Sequence, residues 1–114
     1  MNEEIEKLFA GFTVDGAEIP VCFMRYRGDQ TTYITYQEIG DDPALCGDDE
    51  CLYSIKQYDF DIYSKGNYLN ILSAVKERLK AGGFTWTGDS ADMYEDDTGY
   101  NHKTTTFEKE SING

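Results

Sequence analysis

Apolar residues near the start of the chain recur at helical spacing. Ile5, Leu8, Phe9 and Phe12 fall at i, i+3, i+4 and i+7, which is one face of a short amphipathic helix. Asn2 ahead of Glu3 and Glu4 supplies a cap and an acidic first turn, and Gly11 with Asp15-Gly16 ends the segment. The period then changes. Residues 21–27 follow Pro20 and set Val21, Phe23 and Arg25 against Cys22, Met24 and Tyr26, mostly apolar on both sides, as in a strand inside a sheet. Gly28-Asp29-Gln30 reads as a tight connection into residues 31–39, rich in β-branched and Tyr side chains, so the two segments are predicted to form a β-hairpin. Residues 40–49 (GDDPALCGDD) read as a polar, mobile excursion.

Residues 51–63 carry the longest strand signal. Tyr53 and Ile55 are apolar at odd positions, whereas Tyr58, Phe60 and Ile62 are apolar at even ones. A strand cannot change its buried face without an extra residue, so the pattern predicts a β-bulge or sharp bend near Lys56 and Gln57. A second helix is predicted over 68–81, with Leu69, Leu72, Val75 or Lys76, and Leu79 on one stripe, Asn67 as cap, and Gly82-Gly83 as stop. Residues 84–87 read as a short strand with Phe84 and Trp86 on one face. Residues 88–101 read as an acidic loop, 103–108 as a last strand, and 110–114 as a frayed tail. The predicted fold is a single α+β domain over 1–114 in the order α-β-β-β-α-β-β. Its sheet is mainly antiparallel, with two helices packed against it.

Composition narrows what such a domain can do. A hydrophobic share of 39%, 14% of the chain being aromatic, supports a real core. Twenty-two acids against ten bases leave a net charge of −12, which argues against binding a phosphate backbone, since that needs clustered Lys and Arg, and against docking on an anionic membrane. The first residues lack the basic and apolar regions of a signal peptide, and no run approaches the ~18 apolar residues of a membrane span. Three cysteines, an odd number, are read as free thiols in a reducing, intracellular setting.

Candidate chemistry is sparse. His102 is the only histidine, and no Ser or Cys spacing makes it a catalytic base; it is read as the donor or acceptor of a surface hydrogen bond at the start of a strand. Cys46 and Cys51 lie in acidic surroundings with only Cys22 and His102 left to complete a zinc set, so they are read as a fortuitous pair. Residues 92–99 (DMYEDDTG) miss the alternation of an EF-hand loop, and Arg27-Gly28-Asp29 is read as turn chemistry. The expectation is no catalytic residue, no metal and no cofactor.

Three stretches go beyond generic patterning: residues 58–68 (YDFDIYSKGNY), residues 83–86 (GFTW) with 92–103 (DMYEDDTGYNHK), and residues 34–38 (ITYQE). In order and approximate spacing they resemble small tail-completion proteins, the tail terminators, of long-tailed phages and prophages of Gram-positive bacteria. The resemblance covers about residues 19–107. It implies a structural protein that caps the tail tube, stops polymerisation and offers the head connector a docking surface. It also implies an α+β fold and a hexameric ring of copies. The implied partners are the chain itself, the tail-tube protein and the head-connector proteins, with DNA passing nearby without specific binding and no membrane. The implied location is the host cytoplasm during assembly and the virion afterwards. The family carries no catalytic residues; what the resemblance carries over is contact surface. The candidate interface residues are Asp41, Asp42, Asp48, Asp49 and Glu50 in one acidic loop, and Tyr94, Glu95, Asp96, Asp97 and Tyr100 in the other. A ring of such chains would set negative charge around passing DNA and discourage sticking. The competing reading is an acidic DNA mimic that inhibits a host enzyme. A metal-assisted hydrolase built on residues 95–97 ranks third, for want of a base.

Overall fold

A computed structural model of the chain describes the backbone at residues 2–47, 50–66, 68–90 and 92–112, and side chains at 3–41, 54–66, 68–90 and 92–110. The elements in chain order are α1 (Asn2–Leu8), β1 (Thr13–Val14), β2 (Ala17–Glu18), β3 (Val21–Phe23), β4 (Thr32–Gly47), β5 (Glu50–Ser64), α2 (Leu69–Ala81), β6 (Thr85–Asp89), β7 (Met93–Glu95) and β8 (Tyr100–Ile112). The α+β class holds, with two helices and a dominant sheet. The predicted order does not, because the strands are more numerous and one pairing is parallel.

The alternation of Tyr58, Phe60 and Ile62 on β5 builds the core. Register places Ile34 opposite Ile62 and Tyr36 opposite Phe60 on one side, and Thr105 opposite Phe60 and Phe107 opposite Tyr58 on the other. All are buried, so three neighbouring strands present one continuous apolar face. Ile71, Leu72, Val75 and Leu79 of α2 lie in the same core cluster, with Ile5, Phe9 and Phe12 from the N-terminal segment. Leu69, predicted on the buried stripe, is 59% exposed, and Ile71 takes its place. The rest of the predicted stripe, Leu72, Val75 and Leu79, is buried.

Gly82-Gly83 stops α2 as predicted. Gly83 has φ +88°, Phe84 N–H donates to Leu79 O at 2.9 Å and Gly83 N–H to Lys80 O at 3.1 Å, the two bonds of a Schellman cap. The Asn67 cap lies outside the described residues, and so does the Asn2 side chain. The α1 segment continues its apolar stripe past the helix end through tight turns, with Phe12 N–H on Phe9 O at 3.0 Å. Asp15-Gly16, read as a helix stop, is instead the turn of the small β1–β2 hairpin. Both residues have positive φ, as a two-residue turn of that hand requires.

Other expectations are corrected. β3 and β4 do not form a hairpin: they pair in parallel, Val21 with Ile34 and Phe23 with Tyr36. Residues 24–31 run back alongside; β3 is three residues long, about 10 Å, so a short crossover reaches. Residues 40–47, expected as a loop, extend β4 and pair with β5; likewise Glu50 belongs to β5. Asp48 and Asp49 lie outside the described residues. Pro43 is tolerated because β3 covers only Ile34 to Tyr36, which leaves β4 as an edge farther on.

The expected bulge in β5 is absent. Its register with β8 is unbroken from Tyr53 to Ser64, and the irregularity falls on β4 between Glu38 and Gly40. Ser54 is buried on the same even face as Phe60, so β5 never switches sides. Residues 88–101 contain β7, and the final strand runs on to Ile112, leaving only residues 113 and 114 of the expected tail outside the described residues.

Candidate assembly surface

In the main sheet β3 forms one edge, followed by β4, β5, β8 and β6, and β7 pairs with β8 on the same side as β6. The helices cover one face. The other face is lined by the odd residues of β4 and β5 and the even residues of β8, and it is held by polar and aromatic rungs. Asp61 accepts from Thr104 Oγ1 at 2.5 Å and faces His102 Nε2 at 3.1 Å. Asp59 accepts from Thr106 Oγ1 at 2.7 Å. Above them rings stack across four segments: Tyr26 on Tyr33 at 4.6 Å, Tyr33 on Tyr63 at 4.9 Å, and Tyr63 on His102 at 4.3 Å. Burial, then the Asp61 charge, pushes the Tyr63 hydroxyl up to about 12, so it stays a neutral donor near neutral pH. His102 thus makes the surface hydrogen bond expected of it.

The β3 edge ends in a strained turn. Met24 has φ +62°, and Arg25 N–H donates to Phe23 O at 2.7 Å, a three-residue γ-turn of the rare hand. The turn leaves Phe23 45% and Met24 62% exposed, one on each face: Phe23 lies 5.5 Å from the core ring of Tyr36, and Met24 lines an open-face hollow with Thr35, Asp61 and Tyr63. Arg25 and Arg27 follow, both exposed, and neither has an ion-pair partner among the described residues. A Cβ at Gly28 would meet the outer end of the Tyr26 ring, whose hydroxyl accepts from Gln30 N–H at 3.0 Å.

The opposite edge holds the acidic hairpin. β7 pairs Met93 with His102, Tyr94 with Asn101 and Glu95 with Tyr100. Its turn is closed by Gly99 N–H on Glu95 O at 2.8 Å and Thr98 Oγ1 on Glu95 Oε2 at 3.1 Å, with Gly99 at φ +75°. Glu95, Asp96 and Asp97 are exposed, and so are Met93 (39%) and Tyr94 (62%). Tyr100 is half-buried against Tyr33 and Tyr63, with Lys65 Nζ 5.2 Å above its ring. At the base, Asp92 accepts from the Tyr68 hydroxyl and pairs with Lys103 Nζ at 3.1 Å. The Tyr68 bond, then Lys103, holds the Asp92 carboxyl below its usual range, and the same bond raises Tyr68 to about 12.

Of the ten expected interface residues, Tyr94, Glu95, Asp96, Asp97 and Tyr100 come together in the β7–β8 hairpin. Asp41 sits instead on β4, exposed, with Lys56 Nζ at 3.5 Å and Glu38 on the same amine at 3.4 Å. Lys56 is pushed up chiefly by Glu38 and then Asp41. Asp42 and Glu50 are in paired strands. The two acidic groups are therefore separate: the β4–β5 arm lies toward the Ile112 end of β8 and the β7 hairpin at its Tyr100 end, about 40 Å along an extended strand. The sequence reading missed Phe23, Met24, Arg25 and Arg27. The available signal was that two of three arginines flank a tyrosine directly after apolar residues, in a chain of net charge −12.

An open cleft of about 570 Å³ lies between the β1–β2 hairpin and the crossover, lined by Asp15, Glu18, Asp29, Ser64 and Asn70 among others. Asn70 Nδ2 already donates to Asp15 Oδ2 at 3.1 Å. Among the described residues, no three His, Cys, Asp or Glu side chains group to hold a metal ion, and no helix is long and apolar enough to cross a membrane. Compared with known proteins, the chain matches no family model and no curated sequence.

Proposed function

We propose that this chain is a structural component of a phage tail, a terminator that caps the tail tube and forms the head-joining surface as a ring of copies. The observation that carries the reading is the placement of Phe23, Met24, Met93 and Tyr94. These four of the seven exposed large apolar side chains among the described residues lie 39% to 62% exposed along the two outer edges of one sheet, where a neighbouring chain would bury what the monomer leaves open. The acidic turn at 95–97 and the polar open face supply further contact surface. Residues of the resemblance fall on this frame: 58–64 form the central strand, and 92–103 the exposed hairpin.

The test is genetic and biochemical. A tagged copy should co-purify with tail-tube protein from assembling particles, and deleting the chain should leave tails of uncontrolled length that fail to join heads. Normal tails in its absence, with no chain in purified particles, would refute the reading. The DNA-mimic alternative is favoured by one observation: the body is elongated, 52 × 28 × 23 Å, and carries 22 acids. It requires salt-sensitive binding to a basic enzyme groove that does not depend on Phe23 or Met24.

A further inference from the structure

We infer that copies of this chain associate head to tail, the β3 edge of one against the β7 edge of the next. This rests on the assembly reading's premise of self-association and adds which surfaces meet. The two edges match in three respects. Each ends in a three-residue strand, Val21–Phe23 and Met93–Glu95, too short to template open-ended sheet growth, so side chains must supply the specificity. Each carries one exposed apolar residue per face. On the open face these are Met24 and Met93, since Met93 is in register with His102; on the helix-covered face they are Phe23 and Tyr94, since Tyr94 is in register with Asn101 and that residue with buried Ser64. An edge-to-edge approach therefore brings methionine to methionine and ring to ring.

Charge sets the direction. Arg25 and Arg27 follow β3 without ion-pair partners among the described residues, while Asp96 and Asp97 follow β7 in an exposed turn. Like edges repel and unlike edges attract, which disfavours a two-fold dimer through either edge and favours a heterologous contact. A heterologous contact closes into a ring when its rotation allows. The stacked rung Tyr26–Tyr33–Tyr63–His102 runs from the β3 side to the strand that carries β7, so the two edges are held in fixed relation, as a repeating contact requires.

Sedimentation velocity over a concentration series tests this with charge-reversed chains. Wild type should grow in mass with concentration. Arg25→Glu with Arg27→Glu, and separately Asp96→Lys with Asp97→Lys, should each weaken association about a hundredfold, since each creates two like edges. Mixing the two variants should restore assembly, and so should combining all four substitutions in one chain; a misfolded variant could not be rescued this way. Wild type that stays monomeric throughout, a reversed variant that assembles like wild type, or a mixture no better than its components overturns the inference. Assembly through other surfaces would leave the tail-terminator reading standing, whereas normal tails in the chain's absence, with edge-to-edge assembly intact, would remove that reading and keep this one.

Discussion

The two faces of the central sheet are built on opposite principles. On the helix-covered face, Ile34, Phe60, Ile62 and Phe107 are fully buried and packed by α1 and α2, so hydrophobic burial supplies the stability there. On the open face β5 and β8 carry Asp59, Asp61, Thr104 and Thr106 beneath stacked rings, all half-exposed. Carboxylate–hydroxyl rungs tie β5 to β8 on that face while leaving it partly open to solvent. Stability is thus concentrated on one side, and the other side and the two edges are free for contact.

The largest expected effect tests this asymmetry directly. Phe60→Ala removes the centre of the covered face and should cost about 3–5 kcal/mol of unfolding free energy in urea, whereas Tyr63→Ala, next to its neighbour on the open face, should cost less than half of that. Equal losses would mean that the open face is a second core. Next in size, Asp61→Ala strips the partner from both Thr104 and His102 and should cost about 1–3 kcal/mol, read in the same denaturation.

Asp89 sharpens the comparison through pH. Burial opposes its ionisation, but hydrogen bonds from Lys76 Nζ and Trp86 Nε1 outweigh it and hold the carboxyl below its ordinary 3.8. A depressed folded value contributes stability above 3.8 that is lost as pH falls through the folded value. Asp89→Asn should therefore lower the thermal midpoint at pH 7 and converge with wild type once pH falls below the carboxyl's folded value; a constant gap at all pH values would place its role elsewhere. Smallest of all, Lys56→Ala removes an exposed pairing with Glu38 and Asp41 and should change stability by roughly 0–1 kcal/mol.

The covered face was legible in the sequence because burial leaves a period. Tyr58, Phe60 and Ile62 alternate, Leu72, Val75 and Leu79 recur at helical spacing, and Gly82-Gly83 marks the stop. What lacked a period was misread. Strands of two residues, β1 and β2, have none, although Asp15-Gly16 is a strong hairpin signal. Residues 40–47 hold few β-favouring side chains, so their strand character comes from backbone pairing with β5. Parallel and antiparallel neighbours look alike over the three residues of β3. The extra residue inferred in β5 belongs to its partner strand near Ile39. For the candidate surface, the acidic run at 94–100 was visible as composition, but the β3 edge depends on the positive φ of Met24, which no pattern announces.

Cross-linking tests most directly the claim that the free edges of this sheet join unlike to unlike. In a chain with Cys22, Cys46 and Cys51 replaced by Ser, Met24→Cys and Met93→Cys together should give a ladder of covalent oligomers on mild oxidation, and either cysteine alone should give almost none. Dimers formed as readily by one cysteine alone, or no cross-links at concentrations where the chain assembles, would contradict it.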